Sequence, residues 1–437
     1  KHIKTSLTEG DRAIKAIQGN EISAVDMGYI FEELVRKFSE SYDEQAGAHF
    51  TARDIIYLMA EVLVLPQREH IAQEGITASI YDMAMGTSQM LDCLSEKLHE
   101  IDPEASLTEF GQELNEQTFA IAKANLLIKG GNADNMKHGN TLSDDKFEGF
   151  KFDYIISNPP FGIEWKNEKA KVEEEHKKGE YGRFGAGLPA IGDSQQLFVL
   201  NGVAKLKDNG RMAIIQNGSP LFKGDAGSGE SNIRGYLLEN DWLEAIVQIP
   251  NDMFYNTGIA TYIWIVTKDK SADRVGKVQL IDASKCSVKR RKPLGNKRNE
   301  FDENCIALIT KAYNAFANDT YADGDLVVES KVKDNDDFKF RKVTVEFPSE
   351  KSAKSKPEKD TEIIPWKEDV KAYMEKNVLP FQPKAKINEK QTKIGYEIPF
   401  TREFYKYIPL EPSENIFAKL KDLEARETEL MNKILGS

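Results

Sequence analysis

Apolar and polar positions change their period repeatedly along the chain, mostly between residues 47 and 284. Short apolar runs bounded by polar or glycine residues alternate there with stretches whose apolar residues recur every three or four positions. The runs predict strands and the stretches predict helices, an alternation typical of an open α/β sheet. The predicted strands are Ser79–Met83, Ser106–Gln112, Asp153–Ser157, Arg211–Gln216, Glu244–Ile249, Thr261–Thr267 and Lys277–Ile281.

The stretches that flank or interrupt this alternation have other patterns. Residues 1–45 show helical spacing, which predicts a helical N-terminal segment. The charged, then glycine-rich stretch Glu164–Gln196 is typical of a mobile loop beside a site, and Ser349–Asp360 predicts a linker or disordered insertion.

The stretch Ser413–Leu435 predicts a C-terminal helix whose apolar residues follow heptad spacing. Such a helix either packs on the core of its own chain or docks a partner subunit. Its heptad residues are Ile416, Leu420, Leu423, Leu430 and Ile434, with Glu427 interrupting the series.

Length and cysteine content limit the class of protein. A chain of 437 residues accommodates one large domain with additions, or two domains. The three cysteines, Cys93, Cys286 and Cys305, are spaced for neither a disulfide framework nor a zinc site. Because no apolar run approaches membrane-spanning length and no signal peptide is visible, we expect a cytoplasmic protein without a membrane partner. The first residue is Lys1, which suggests an incomplete start.

The tetrapeptide Asn158-Pro159-Pro160-Phe161 directly follows a predicted strand. An Asn oxygen and a backbone carbonyl can both accept hydrogen bonds from an exocyclic amine on a flat ring, which turns the nitrogen lone pair toward a methyl donor. The prolines hold the residues before them extended, and the aromatic ring offers a stacking face. Asn-Pro is also a common turn signal, but the full string is rarer, and we favour the catalytic interpretation.

A second candidate site lies at the end of the first predicted strand. The residues from Asp82 to Gln89 predict a tight turn into a helix, in which Gly86 would permit close approach of a ligand. Glu113 directly follows the next predicted strand, where an acid can accept hydrogen bonds from both hydroxyls of a ribose, although an acid at a helix start is the alternative. If the ligand is a cofactor that contains adenosine, Asn140 is placed to contact its adenine ring. Thr51 either closes over this cofactor or caps the following predicted helix, Asp54–Val64.

The net charge of −12 is unusual for a protein that holds DNA alone, since phosphate contacts dominate DNA affinity. One stretch is strongly basic although the whole chain is acidic: Lys285 to Arg298 contains seven Lys or Arg residues and no acid. This stretch is either a solvated loop or a phosphate contact. If this chain acts on DNA, either such a local concentration of basic residues binds the phosphates or another subunit supplies most of the DNA contact.

Together these residues resemble the modification (M) subunits of type I restriction–modification systems, a family of adenine-N6 DNA methyltransferases. The resemblance covers residues 26–284 and resumes at Thr392–Tyr407. Besides the tetrapeptide, it is carried by the strings from Asn217 to Phe222, Gly227 to Gly229, Asn232 to Arg234, Ile249 to Phe254, Gly258 to Trp264 and Lys393 to Phe400.

The resemblance implies roles for individual residues. Asn158, Pro159, Pro160 and Phe161 match the catalytic motif, and Glu113 stands at the ribose-binding acid. The other residues that match cofactor-binding stretches are Ala48, His49, Phe50, Thr51, Ala52, Arg53, Asp82, Gly86, Thr87, Ser88, Gln89 and Asn140. Four positions depart from the family pattern: Ala52 and Met83 stand where Pro is frequent, Ser88 where Gly is frequent, and Asn140 where Asp is frequent.

The implied fold is a Rossmann-like α/β S-adenosylmethionine-dependent methyltransferase sheet with a helical N-terminal segment and a C-terminal helical tail. We expect residues 1–45 to be the remainder of a helical domain and residues 46–284 to be the methyltransferase domain. Residues 285–390 are expected to form a basic loop, an insertion and a linker, and residues 391–437 a segment whose helix docks a partner.

The implied activity is S-adenosylmethionine-dependent methylation of an adenine flipped out of duplex DNA. The implied partners are double-stranded DNA, a specificity (S) subunit that chooses the site, a second copy of the M subunit and a restriction (R) motor-nuclease subunit. Two alternatives stay open. One is another amino methyltransferase, acting on cytosine N4, RNA or protein glutamine, and the other is a scaffold weakened in cofactor binding.

Overall fold

A computed structural model of the chain describes residues 51–73, 75–128, 131–255, 257–348, 357–407 and 411–435. The chain divides into two compact units, Lys1–Pro399 and Phe400–Ser437. The predicted N-terminal helical segment lies outside the described residues, as do Ala48, His49 and Phe50. Within those described ranges, the helices are too short or too polar to cross a membrane.

The strands fall mostly where the apolar runs lie. They are β1 (Thr77–Asp82), β2 (Ser106–Glu113), β3 (Met136–His138), β4 (Phe152–Ser157), β5 (Leu206–Asn217), β6 (Leu243–Ile249), β7 (Thr261–Thr267), β8 (Lys277–Lys285), β9 (Val288–Leu294), β10 (Lys297–Glu300), β11 (Asp319–Asp323), β12 (Leu326–Asp334), β13 (Lys339–Phe347), β14 (Glu358–Pro365) and β15 (Lys386–Tyr396).

The α-helices alternate with the first eight strands and then become sparse. They are α1 (Arg53–Val64), α2 (Arg68–Ile71), α3 (Gln89–Ile101), α4 (Glu116–Ile128), α5 (Lys169–His176), α6 (Gln195–Lys205), α7 (Ser219–Phe222), α8 (Gly229–Glu239), α9 (Glu303–Ala315), α10 (Val370–Asn377), α11 (Phe400–Phe404) and α12 (Ser413–Leu435).

A ten-stranded sheet forms the centre of the first unit, in the order β11-β12-β8-β6-β7-β5-β4-β1-β2-β3. Strands β3, β2, β1, β4 and β5 pair parallel to one another, whereas β7 is antiparallel to both of its neighbours. Because parallel strands end at the same edge, the last residues of β1, β2 and β4 are brought together there. Those residues are Asp82, Glu113 and Ser157, which directly precedes Asn158.

Helices cover the sheet, and most residues of its central strands are buried. Every residue of β7 is buried, as expected for a strand covered on both faces. Helix α1 packs Ile55, Met59 and Val62 into the same core as Ile156 of β4. Burying each such side chain stabilises the fold by about 1.5–3 kcal/mol relative to leaving it in water. Strand β4, which precedes the tetrapeptide, is therefore held by close packing against α1.

The predicted fold class is confirmed for the described residues. All seven predicted strands are present, with ends that differ by up to five residues, and the predicted helix Asp54–Val64 begins one residue earlier. The prediction missed β3, because three residues with one buried side chain leave no visible period.

The stretch 285–390 differs from the expected loop, insertion and linker. Its basic part forms the antiparallel hairpin β9–β10, and β12 pairs with β8, so the central sheet continues past residue 284. Strands β14, β13 and β15 form a separate three-stranded sheet. These strands keep charged residues on their exposed positions, and their high charge resembled that of a loop.

The second unit contains α11 and α12, and α12 has the predicted bounds. Its five heptad residues, Ile416, Leu420, Leu423, Leu430 and Ile434, are all exposed. Whether this helix packs on its own chain or docks a partner stays a prediction.

Candidate active site

A cavity of about 940 Å³ opens at the sheet edge where β1, β2 and β4 end. Many of the residues singled out in the sequence surround it, although they come from distant parts of the chain. Those that line the cavity are Thr51, Asp82, Gly86, Thr87, Gln89, Glu113, Asn140, Asn158 and Pro160.

The other predicted residues that the structure describes are not part of the cavity lining. Ala52 is 3% exposed and Ser88 is 1% exposed, so both are packed inside. Arg53 is engaged on α1, where it donates to Tyr57 Oη over 3.1 Å. Phe161 meets the ring of Phe254 edge to face, with centroids 6.3 Å apart. Pro159 is also outside the lining.

The Asn158 side chain is held at one end and unsatisfied at the other. Its Nδ2 donates to Thr51 Oγ1 over 2.8 Å, while its Oδ1 is buried and has no hydrogen-bond partner among the described residues. A buried acceptor without a partner costs about 1–3 kcal/mol. This oxygen is therefore ready to accept from a donor that enters the cavity.

Thr51 accepts a hydrogen bond from Asn158 and does not cap the helix that follows. The N-cap of α1 is Ala52, and it makes no side-chain capping bond. The Thr51 backbone is held as well: the Gln89 amide, turned so that its nitrogen faces Thr51, donates to the Thr51 carbonyl over 3.0 Å. Both ends of Thr51 are thus tied to the walls of the cavity.

Asp82 connects the candidate cofactor turn to β4, the strand that precedes Asn158. Its Oδ1 accepts from Ser157 Oγ over 2.7 Å and from the Ala84 amide over 3.0 Å. Burial raises the pKa of Asp82 from 3.8 to about 7, and the hydrogen bonds from Ser157 and Ala84 oppose that rise. The side chain therefore titrates near neutral pH, next to the residue that precedes Asn158.

Glu113, at the end of the neighbouring strand β2, binds the turn that contains Gly86. Its Oε2 accepts from the Gly86 amide over 2.9 Å, and its Oε1 accepts from the Asn115 amide over 2.7 Å. Glu113 is the last residue of β2, and α4 begins at Glu116, so it is not an acid in the first turn of that helix. Gly86 has φ +53°, a conformation that favours glycine.

Ser88 is the N-cap of α3 and has φ +70°, although it is not glycine. This conformation costs L-residues roughly 1–2 kcal/mol. Part of that cost is offset by Asn125, whose Nδ2 donates to Ser88 Oγ over 3.2 Å. The frequent glycine at this position in the family thus has a backbone reason.

Asn140 is paired with a residue that the sequence did not single out. Its Nδ2 donates to Glu168 Oε1 over 2.8 Å, and its Oδ1 accepts from the Leu142 amide over 2.9 Å. An Asp at 140 would face Glu168 with like charge, whereas the neutral Asn amide donates to it, so the departure from the family pattern suits this neighbour. Glu168 and the buried Trp165 belong to the segment expected to be a mobile loop, which instead carries α5.

The titratable residues that line the cavity are all acidic. They are Asp82, Glu113, Glu164 and Glu168, and the lining that the structure describes contains no Lys, Arg or His. Such a wall repels phosphates and favours a ligand that carries positive charge. A cationic sulfonium cofactor fits this site better than a dinucleotide does.

Comparisons with known proteins agree with these observations. The family model for N-6 DNA Methylase matches residues 23–352. Over 291 residues the chain is 27% identical to the type I restriction enzyme MjaIX methylase subunit of Methanocaldococcus jannaschii, an alignment covering 66% of this chain and 49% of that protein. It is 25% identical to the HindI methylase subunit of Haemophilus influenzae, with 71% and 66% covered.

A solved structure shares the fold. It is the type I restriction-modification system methyltransferase subunit from Streptococcus thermophilus, with a TM-score of 0.58, 25% identity, and coverage of 72% of this chain and 61% of that one. The chain thus spans about half to two thirds of the length of the curated relatives it matches. The resemblance predicted from the motifs is confirmed.

Proposed function

The chain belongs to the N-6 DNA methylase family, and from this premise we propose that it methylates the N6 amine of adenine in duplex DNA with S-adenosylmethionine. The target base has to leave the stack, because its amine is out of reach inside a duplex. The observation that carries the proposal is the buried Asn158 Oδ1, which has no partner among the described residues. An incoming amine would satisfy it.

The chain's own residues would activate that amine. Asn158 Oδ1 and the Pro159 carbonyl accept its two hydrogen bonds, so the nitrogen becomes more tetrahedral and its lone pair leaves the ring system. Thr51 accepts from Asn158 Nδ2, which keeps the amide oxygen toward the substrate. Phe161 offers a stacking face worth about 1–3 kcal/mol per base. No general base is needed at the start, because the proton leaves a nitrogen that is already alkylated.

The cavity suits S-adenosylmethionine, which supplies an electrophilic methyl group on a sulfonium centre when bound. Glu113 would accept from the ribose hydroxyls, in exchange for its bond to the Gly86 amide. Asn140, held by Glu168, would contact the adenine ring. The uniformly acidic lining favours the cofactor's positive charges.

The same proposal includes partners. The net charge of −12 argues that a specificity subunit chooses the site and supplies much of the DNA grip. The exposed heptad face of α12 is suited to dock such a subunit, which would also hold a second copy of this chain. A motor-nuclease subunit would complete a restriction complex.

The test compares Asn158→Ala with Asn304→Ala, a matched change at an exposed position of α9. We expect Asn158→Ala to lower methyl transfer by about 10³-fold, a loss in the range seen when one activating group is removed. N6-methyladenine would be measured by mass spectrometry of hydrolysed DNA, and S-adenosylmethionine binding by calorimetry. Cofactor affinity should survive in both variants.

The possible results of this test distinguish the proposed function from its alternatives. Full activity in Asn158→Ala would overturn the assigned role of this residue. Cofactor binding with methylation of cytosine, RNA or protein instead of adenine would indicate another amino methyltransferase. A wild-type chain that binds no cofactor would indicate a scaffold.

A further inference from the structure

The basic hairpin β9–β10 lies beside the candidate active site. We propose that this hairpin, Val288–Glu300, holds the phosphates of duplex DNA next to the flipped adenine. The proposal rests on the proposed function, because it names where this chain grips the substrate of that reaction.

The hairpin and the residues just before it concentrate positive charge on an acidic chain. Of the seven cations between Lys285 and Arg298, Arg290 pairs with Glu300 and Lys297 is buried. The remaining five are exposed: Lys285, Lys289, Arg291, Lys292 and Arg298. In the described ranges none of these five has a carboxylate within 4.0 Å, so they are available to an anionic ligand.

The first anchor of the hairpin is a buried ion pair to α1. Lys297 Nζ lies 2.9 Å from Asp54 Oδ2 and donates to the Met253 carbonyl over 3.1 Å. The Phe301 amide also donates to Asp54 Oδ2, over 2.9 Å. Asp54 lies three residues after Thr51, the residue that holds Asn158. The hairpin is therefore fixed to the catalytic wall.

The second anchor is the loop after β6, which reaches the stacking residue. The Asp252 carbonyl accepts from the Arg298 and Asn299 amides over 2.9 and 3.2 Å. Gly295 forms the tip of the hairpin against this loop, where a Cβ would lie 2.5 Å from the Tyr255 carbonyl oxygen. Phe254 of the same loop contacts the ring of Phe161.

These two anchors distinguish the hairpin from a solvated loop. A flipped nucleotide stays joined to its strand by the phosphates on either side, so those phosphates pass over the rim of the pocket that receives the base. The hairpin is tied to the residues around Asn158 and to those around Phe161, and it presents cations at that rim. Rigid cations beside the pocket would hold the strand from which the base has turned.

The test compares Arg291→Ala/Lys292→Ala with a matched double change, Lys371→Ala/Lys376→Ala, which removes two exposed cations from α10. Affinity of the full chain for a fluorescein-labelled duplex would be measured by anisotropy across a series of salt concentrations. We expect the hairpin variant to lose about tenfold in affinity and its logarithmic salt slope to become shallower by roughly 1–2. The control should keep the wild-type slope, and calorimetry should show unchanged S-adenosylmethionine binding in both.

The proposal is overturned if the hairpin variant binds with wild-type affinity and slope, or if the wild-type chain binds no duplex even at low salt. Formation of N6-methyladenine is scored separately. Methylation that is insensitive to the hairpin would overturn only the hairpin's role. Hairpin-dependent DNA binding without methylation, even when the specificity subunit is co-expressed, would support the phosphate contact and overturn the proposed reaction.

Discussion

The two walls of the cavity differ in how far their polar groups are already satisfied. On the side proposed to receive the target base, Thr51 fixes the Asn158 amide while Asn158 Oδ1 has no partner in the described part of the chain. On the side proposed to bind the cofactor, Glu113 accepts from two backbone amides and Asn140 is paired with Glu168. The target wall is thus preorganised, whereas a cofactor has to exchange internal hydrogen bonds for its own. Substitutions on the two walls should therefore affect different steps.

The largest effect that would test this difference comes from Thr51→Val. Loss of the hydroxyl leaves Asn158 Nδ2 without its acceptor, so the amide can turn its nitrogen toward the substrate. We expect the single-turnover rate at saturating cofactor to fall by about 10–100-fold, equivalent to one lost hydrogen bond, with unchanged cofactor affinity. Thr51→Ser should restore the rate. Equal rates in the Val and Ser variants would remove the positioning role.

For Glu113→Gln on the cofactor wall we expect the opposite result, a weaker cofactor affinity with an unchanged rate at saturating cofactor. A neutral amide has one acceptor oxygen where the carboxylate has two, so cofactor affinity should fall by about 10–100-fold while the rate at saturation stays near that of the wild type. Glu116→Gln, which changes an exposed acid on α4, is the matched control. A fall in the saturated rate with unchanged affinity would contradict the distinction between the walls.

Asp82 lies between the two walls, and its raised pKa predicts that the stability of the fold depends on pH. The pKa of Asp82 is raised by burial from 3.8 to about 7, so the folded chain holds this proton while the unfolded chain has already lost it. Its contribution to stability is therefore largest in acid and falls as pH rises between these two values.

Asp82→Asn should remove this fall, which amounts to at most about 4 kcal/mol. Urea unfolding without cofactor at pH 5 and pH 8 would measure it, as the difference between wild type and variant at each pH. A difference that is the same at both pH values would contradict the buried, protonated carboxyl.

The smallest effect is expected for Ser88→Gly. Glycine adopts φ +70° without strain, which should stabilise the turn by roughly 1 kcal/mol, less the lost hydrogen bond from Asn125. Thermal unfolding would detect this as a small rise in Tm. Ser88→Ala keeps the strain and loses the hydroxyl, so it should be no more stable than the wild type. A more stable Ala variant would show that the backbone is not the cause.

Much of the fold was predictable because the strands of the central sheet are apolar runs that can be recognised in the sequence. Strands such as Thr261–Thr267 are continuous apolar runs, and their identity needs no knowledge of their neighbours. The hairpin β9–β10 was not predictable in the same way, since its charged residues face solvent and its fold depends on anchors at Asp54 and Asp252.

The sequence by itself determined the α/β class, the family and the tetrapeptide that would carry the chemistry, because each is written in consecutive residues. The tertiary structure decided which residues act on one another. Thr51 and Asn158 are separated by 107 positions, and Asn140 and Glu168 by 28. Hydrogen bonds of this kind depend on how the ends of parallel strands and their loops meet in space, and no local period of the chain encodes that meeting.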